Sequence, residues 1–201
     1  MPRRARLIVA GFPLHVVQRG NNGTACFMDD ADRRSYLFHL ERALAVFDCA
    51  LHAYCLMGNH VHLLLTPEDP ASCSLLMKRV GQLHSQYINR KYRRTGALWD
   101  GRYHSFVVHS ERYLFNCYRY VEQNPVRAKM VGRPGEHPWS SYRVNARCGP
   151  RGIITPHSVY NSLARTDPER ACAYSALVDS VLGEAELAQI RLAVRSGQLV
   201  A

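Results

Sequence analysis

The sequence predicts an α+β fold in which a four-stranded antiparallel sheet carries two long helices on one face. Three observations lead to this prediction. Short apolar stretches alternate with two long segments of helical periodicity. Gly58-Asn59 separates two strand-like runs by only two residues, which is typical of a tight hairpin. Turn-forming residues or good helix caps bound most of these segments.

The first two elements are a strand and a helix. The strand covers Leu14–Arg19 and ends at Gly20-Asn21-Asn22-Gly23, which is rich in turn formers. The helix is predicted over Asp30–Phe47, with Asp29 or Asp30 as its cap. Apolar residues recur at helical spacing on one side of it: Tyr36, Leu37, Leu40, Leu44 and Phe47.

A hairpin and the second long helix follow. The strands of the hairpin are predicted over Ala50–Met57 and His60–Thr66. The helix is predicted to start at Ser72 or Ser74 and to run to Tyr92, before Thr95-Gly96. Its predicted apolar side consists of Leu75, Leu76, Val80, Leu83, Tyr87 and Ile88.

A fourth strand and a third helix complete the predicted domain. The strand covers Tyr103–Val108, and Ser110 is a good N-cap for the helix that follows. This helix should end near Asn124, because Pro125 disfavours a helical conformation at the residue before it. The order β-α-β-β-α-β-α is that of a ferredoxin-like fold, with the first and third strands at the centre of the sheet.

The chain is predicted to have three parts. Residues 1–131 form the domain described above, 132–151 an irregular connector rich in Gly and Pro, and 152–201 a helical C-terminal extension. The extension should contain short helices at Pro156–Leu163, Pro168–Leu182 and Glu184–Arg195.

The composition favours a polyanionic partner. The 201 residues include 26 Lys and Arg against 16 Asp and Glu, a formal net charge of +10. Residues 1–151 hold 22 of the basic and 11 of the acidic side chains. An excess of this kind commonly neutralises nucleic-acid phosphates, although a GC-rich genome also enriches arginine without any function.

Cysteine usage and hydropathy point to a cytoplasmic protein. The seven cysteines form no C-x-x-C pair and are odd in number, which argues against a disulfide scaffold or a zinc ribbon. No apolar run approaches the roughly 20 residues needed to span a bilayer, so no membrane partner is expected. The first residues also lack the apolar segment of a signal peptide.

His60 and His62 form an H-x-H pattern on the third predicted strand. Because side chains two residues apart leave a strand on the same face, the two imidazoles should lie side by side. On a solvent-facing sheet surface they could start a divalent-metal site, or they could simply keep that surface polar. A metal site requires at least a third ligand.

The third helix offers that ligand and a nucleophile. Tyr120 and Asn124 lie one turn apart, so an amide oxygen of Asn124 on the metal would place the phenol about 5–6 Å from it. A phenol with its free pKa of about 10 is a poor nucleophile at neutral pH, and a metal that polarises the phosphate would assist it. Tyr113 and Tyr118 are expected to be core or boundary residues.

Six stretches of the sequence form a recognisable set of motifs in this order: His15–Asn22 (HVVQRGNN), Cys26–Asp30 (CFMDD), Met57–Leu64 (MGNHVHLL), Arg94–Tyr103 (RTGALWDGRY), Tyr118–Ala128 (YRYVEQNPVRA) and His137–Tyr142 (HPWSSY). With these motifs the sequence resembles the REP-associated tyrosine transposases, a domesticated branch of the IS200-type single-tyrosine transposases. The resemblance covers about residues 1–145.

The resemblance implies a DNA strand-transfer enzyme that uses Mg²⁺ or Mn²⁺ and acts on single-stranded or hairpin DNA, including palindromic repeats. It implies that His60, His62 and Asn124 are metal ligands and that Tyr120 is the nucleophile, giving a 5′-phosphotyrosine and a free 3′-OH. Whether the protein is a monomer or a dimer stays open.

Several basic and aromatic residues are candidate DNA contacts. Flexible basic arms can enter a groove or follow phosphates, and cations interleaved with aromatic rings suit unpaired bases. The cations after the second helix could instead complement its dipole, and Trp99 could be a core residue. The candidates are Arg3, Arg4, Arg6, Arg19, Arg90, Arg93, Arg94, Trp99, Arg102 and Arg127.

Two other functions are compatible with parts of this pattern. A non-catalytic nucleic-acid-binding module of the same fold is one, although the central strands lack the aromatic pair that such modules use to stack bases. A zinc hydrolase is the other, weakened because no Asp, Glu or Cys lies at ligand spacing. Glu122, the nearest carboxylate, lies about 200° around the helix from Tyr120.

Overall fold

A computed structural model of the chain describes residues 7–196 and confirms the predicted α+β fold. The four strands form one antiparallel sheet in the order β2-β3-β1-β4. Strands β1 and β3 are therefore the central pair, as the sequence predicts. The strand bounds are β1, Leu14–Arg19; β2, Cys49–Leu56; β3, His60–Pro67; and β4, His104–Val107.

Two long helices cover one face of this sheet. Helix α1 spans Asp30–Val46 and begins at a capping box, in which Asp29 accepts from the backbone N–H of Asp32 and the Asp32 carboxylate accepts from that of Asp29. Helix α2 spans Ser72–Lys91 and packs against α1. The alternate strand residues that point toward these helices are buried and apolar, and include Leu14, Val16, Val61, Leu63 and Leu65.

The other face of the sheet is also covered, which corrects one prediction. Helix α3 spans Glu111–Glu122 and contacts β2 and β3, while α8, Glu184–Ser196, contacts β1 and β4. His62 was expected on a solvent-facing surface, but only 3 % of it is exposed. The prediction failed because α3 and α8 cover this face through tertiary contacts. The local pattern of residues in β3 does not indicate which helices pack on it.

The segment 132–151 is more regular than predicted. It contains a 3₁₀ turn at Pro134–Glu136 and helix α5, Tyr142–Arg147. Ser141 N–H donates to the Tyr54 carbonyl, so the start of α5 is tied to strand β2. The prediction of an irregular connector was wrong here, because tertiary contacts stabilise a helix too short to persist alone.

Three further α-helices complete the described chain. Helix α4, Asn124–Arg127, follows α3 directly, and α6, Ser158–Asn161, and α7, Asp167–Asp179, precede α8. Helix α7 packs on α3 and α5. Within residues 7–196, no helix has the length and apolar character needed to cross a membrane. The division of the chain at residues 131 and 151 stays a prediction.

Candidate active site

His60 and His62 lie on the face of β3 that helix α3 covers. Their ring centroids are 4.9 Å apart, so the alternation of the strand brings the two imidazoles together as predicted from their spacing. Burial is the main cause that lowers the pKa of His60 to about 4 and that of His62 well below its usual range. Both rings are therefore neutral at pH 7, which is the form that binds metal ions.

Hydrogen bonds fix which nitrogen of His60 carries the proton. Asn59 Nδ2 donates to the Gly23 carbonyl at 3.0 Å, which orients the Asn59 amide. Asn59 Oδ1 then lies 2.6 Å from His60 Nδ1 and can only accept, so Nδ1 is the protonated nitrogen. Nε2 of His60 is left with its lone pair, the atom that would bind a metal.

His62 is paired with a residue of the neighbouring strand. Nδ1 of His62 lies 3.0 Å from Nε2 of His15, which is fully buried on β1. Because this bond uses Nδ1, Nε2 is again the nitrogen of His62 that can face a ligand. The ring centroids of His15 and His62 are 5.2 Å apart.

Tyr120 lies on α3 against this histidine cluster. Its ring centroid is 5.7 Å from that of His62 and 5.7 Å from that of His15, both edge-on. The ring is half-buried, whereas Tyr118 is in the core and Tyr113 is also half-buried. Among the described residues, no hydrogen-bond partner occupies the Tyr120 hydroxyl, so the phenol oxygen is available to a substrate.

Asn124 and Arg127 hold the turn that carries Tyr120. Asn124 Nδ2 donates to the Tyr120 carbonyl at 3.1 Å, and an Arg127 guanidinium N–H donates to the same oxygen. The Arg127 guanidinium carbon lies 4.3 Å from the centre of the Tyr120 ring, in a cation–π arrangement. The bond from Asn124 uses its amide nitrogen, so its amide oxygen stays available as a ligand atom.

The donor set fits a divalent cation held by two imidazoles and an amide oxygen. In the described part of the chain, no group of three or more His, Cys, Asp or Glu side chains is arranged to hold a metal ion. If the two imidazoles hold a cation, any third protein ligand is therefore of another residue type, such as the amide of Asn124. Imidazole nitrogens suit many divalent metals, whereas carbonyl oxygens favour Mg²⁺ and Mn²⁺.

The nearest carboxylate on α3 points away from the histidines. Glu122 is fully buried and accepts hydrogen bonds from Ser141 Oγ at 2.6 Å and from Asn145 Nδ2 at 3.0 Å. These contacts fasten α3 to α5. Glu122 is a structural residue, and the zinc-hydrolase hypothesis loses its nearest carboxylate.

The cations predicted to contact DNA lie in different parts of the described surface. Arg19 is exposed at the end of β1, opposite His60 in the strand register. Its positive charge is a secondary cause that lowers the pKa of His60. Arg3, Arg4 and Arg6 lie outside the described residues. Arg90 lies in the last turn of α2, Arg93 and Arg94 follow the end of that helix, and Arg102 precedes β4. Arg127, described above, is half-buried beside Tyr120.

Trp99 is a core residue and does not offer its ring to solvent. Only 8 % of it is exposed, and its indole N–H donates to the Gly81 carbonyl at 3.0 Å. Because the ring is buried, the structure favours the alternative in which Trp99 is a core residue over the one in which it stacks on bases. One edge of the indole lines a cavity of about 550 Å³, together with Gln18, Lys78 and Arg102.

Sequence reasoning did not assign a role to His15 or Asn59. Both lie within the matching motifs, yet neither spacing nor composition indicates that they contact His62 and His60. The pairing of His15 with His62 depends on the register between β1 and β3, in which Val17 lies opposite His62. Asn59 could have been noticed as the residue directly before the H-x-H pattern.

The chain matches the model of one protein family. The family model described as "Transposase IS200 like" matches residues 9–124. No curated protein matches the chain. A solved REP-associated tyrosine transposase bound to a REP hairpin is similar at 13% identity and a TM-score of 0.63, covering 78% of this chain and 93% of that one.

A second structure, of a candidate transposase from Deinococcus radiodurans R1, is 19% identical with a TM-score of 0.41 and covers 64% of this chain and 92% of that one.

The family model spans more than half of the sequence and includes every candidate residue from Arg19 to Asn124. The chain therefore belongs to the IS200-like transposase family.

Proposed function

We propose that this protein cleaves and rejoins single-stranded or hairpin DNA, with Tyr120 as the nucleophile and a divalent metal as cofactor. The observation that carries the proposal is the contact of the Tyr120 ring with both the His62 imidazole and the Arg127 guanidinium. A free phenol oxygen beside neutral imidazoles and a cation suits attack on a phosphodiester.

The reaction exchanges one phosphate ester for another. The Tyr120 oxygen bonds to phosphorus, the bond from phosphorus to the 3′ oxygen breaks, and the proton lost by the phenol is balanced by protonation of the leaving 3′ oxygen. The products are a 5′-phosphotyrosine and a free 3′-OH. Attack of a different 3′-OH reverses the step and rejoins the strands without ATP, because the ester bond is conserved.

His60 and His62 would hold Mg²⁺ or Mn²⁺ through Nε2, with the amide oxygen of Asn124 as the third protein ligand. When bound, the cation polarises the scissile phosphate and neutralises the charge that develops in the transition state. The remaining tasks belong to the chain itself. Asn124 and Arg127 hold the backbone of Tyr120, and the Arg127 guanidinium, 4.3 Å from the centre of the Tyr120 ring, is the proposed contact for the phosphate that Tyr120 attacks.

Palindromic repeat DNA in hairpin form is the proposed substrate. The similar solved structure was determined with a REP hairpin, and this chain carries the net positive charge expected of a DNA-binding protein. Arg3, Arg4, Arg6, Arg19, Arg90, Arg93, Arg94, Arg102 and Arg127 are the proposed phosphate or base contacts.

A covalent-adduct experiment tests this function. The protein is incubated with a labelled hairpin oligonucleotide and Mn²⁺, and adducts are separated on a denaturing gel. We expect Tyr120→Phe to abolish the adduct, since it removes the attacking oxygen and keeps the ring. Tyr113→Phe is the matched control on the same helix and should leave the adduct unchanged. An undiminished adduct from Tyr120→Phe would refute the assignment, and no adduct from the wild type would leave only a DNA-binding role.

A further inference from the structure

His15 and His62 share a hydrogen bond inside the protein, and the identity of its donor determines whether His62 can bind a metal. His15 is fully buried and His62 nearly so. An enclosed site of this kind favours the uncharged form of an imidazole. A neutral imidazole has one N–H donor and one lone pair, so two arrangements of protons are compatible with the 3.0 Å contact.

The two arrangements have opposite consequences for Nε2 of His62. If His62 Nδ1 donates to His15 Nε2, then His62 Nε2 carries the lone pair that a metal requires. If His15 Nε2 donates instead, His62 Nε2 carries the proton and cannot bind a cation. His60 is already fixed by Asn59 in the first kind of tautomer, with its lone pair on Nε2.

His15 is poorly explained as a packing residue. Its Nδ1 is buried without a hydrogen-bond partner among the described residues, which is unfavourable whichever proton arrangement holds. Its neighbours on this face include Phe106, 5.1 Å away edge-on, and Leu64, opposite it in the register. An aliphatic residue would fill this place without the unsatisfied nitrogen, so the one hydrogen bond of His15 needs another explanation.

We propose that His15 is a positioning residue that accepts the Nδ1–H of His62 and thereby directs the Nε2 lone pair of His62 to the metal. This inference rests on the proposed function, because it assigns His62 as a ligand. His15 itself is not a ligand in this arrangement, since its Nε2 is engaged by His62 and its Nδ1 is enclosed. Ligand histidines commonly have such a partner on their second nitrogen.

The first test measures the affinity of the DNA-free protein for Mn²⁺ by electron paramagnetic resonance. We expect His15→Leu to weaken binding about 10- to 100-fold, the usual effect of removing a partner of a ligand histidine. His15→Gln supplies an acceptor in nearly the same place and should restore most of the affinity. The control is His84→Leu. His84 is another fully buried histidine, on helix α2, which covers the opposite face of the sheet, and this variant should bind Mn²⁺ like the wild type.

The second test observes the tautomer directly in the metal-free protein. Imidazole ¹⁵N chemical shifts should identify His62 as protonated on Nδ1 in the wild type and on Nε2 in His15→Leu. A wild-type His62 protonated on Nε2, or equal Mn²⁺ affinity in folded His15→Leu, would overturn the proposal. Should His15→Leu fail to fold, the wild-type tautomer and the His15→Gln affinity still decide it. Failure of the wild type to bind Mn²⁺ counts against the proposed function, while the tautomer still tests the role of His15.

Discussion

The two faces of the sheet are built differently, although both are buried. The face under α1 and α2 presents apolar side chains from the central strands, such as Val16 and Leu63. The face under α3 and α8 mixes apolar residues such as Leu64 with the histidines His15, His60 and His62. Both faces therefore stabilise the fold, and the second face also carries hydrogen-bonding groups that a stable core does not require.

This difference indicates where the molecule can tolerate change. Substitutions on the apolar face should alter the free energy of unfolding without altering the site. Substitutions on the histidine face should alter metal binding as well, because the same strand residues support both. Adjacent residues of β3 point to opposite faces, so the comparison can be made with neighbouring positions in one strand.

The largest effect on stability is expected from Leu63→Ala. Leu63 is fully buried under α1 and α2, and its truncation should lower the free energy of unfolding by about 2–5 kcal/mol. Affinity for Mn²⁺ at temperatures where the variant is folded should not change. The matched control is Leu64→Ala, one residue further and equally buried. It should cost a similar free energy and also weaken Mn²⁺ binding, since Leu64 lies opposite His15. Equal Mn²⁺ affinities in the two variants would contradict the functional difference between the faces.

A pH-dependent effect is expected from Glu122, on the histidine side of the sheet. Burial raises its pKa from 4.5 to about 7, against the hydrogen bonds from Ser141 and Asn145, which lower it. The folded protein therefore holds the proton at pH values where the unfolded chain has released it. The stabilisation is complete below pH 4.5, declines as the pH rises, and is lost above pH 7.

Glu122→Gln should remove this decline, which corresponds to about 3 kcal/mol for a shift of this size. The measurement is chemical denaturation from pH 4 to 8, taken as the difference between variant and wild type. The difference is needed because buried histidines such as His84, whose pKa is lowered to about 4, change stability in the opposite direction over part of this range. A constant difference across the range would contradict the raised pKa of Glu122.

The smallest effect is expected at the start of α3. Ser110 Oγ accepts from the Tyr113 backbone N–H at 3.2 Å, and Ser110→Ala should cost about 1 kcal/mol of stability. Ser110→Asp retains a capping oxygen and should restore the stability. Thermal unfolding of the three proteins checks this, and the Mn²⁺ affinity should be unaffected, because Ser110 is more than two turns from Tyr120. A loss of metal affinity in Ser110→Ala would mean that the whole helix moves with its cap.

Local patterns predict much of the fold and part of the site. Strand β1 has the predicted bounds, and α1 and α2 differ by one or two residues at their ends. The proximity of His60 and His62 follows from strand alternation alone. The contact of Tyr120 with His62 does not follow from spacing, because it depends on how α3 docks on the sheet.

The predictions that failed all concern long-range packing. The second sheet face was expected to face solvent, a base-stacking role was one of two alternatives for Trp99, and the segment around Tyr142–Arg147 was expected to be irregular. In each case residues distant in the sequence, including α8 and the Gly81 carbonyl, provide the contacts that bury or order the segment.

The sequence by itself determined the order of the elements, the turn at Gly58-Asn59, the shared direction of His60 and His62 and the excess of positive charge, because each depends on residues near one another in the chain or on composition. Only the tertiary structure decided that His15 meets His62 and that Arg127 stacks on Tyr120. Strand register and helix docking set these contacts, and both minimise free energy over the whole chain, which no local stretch of sequence specifies.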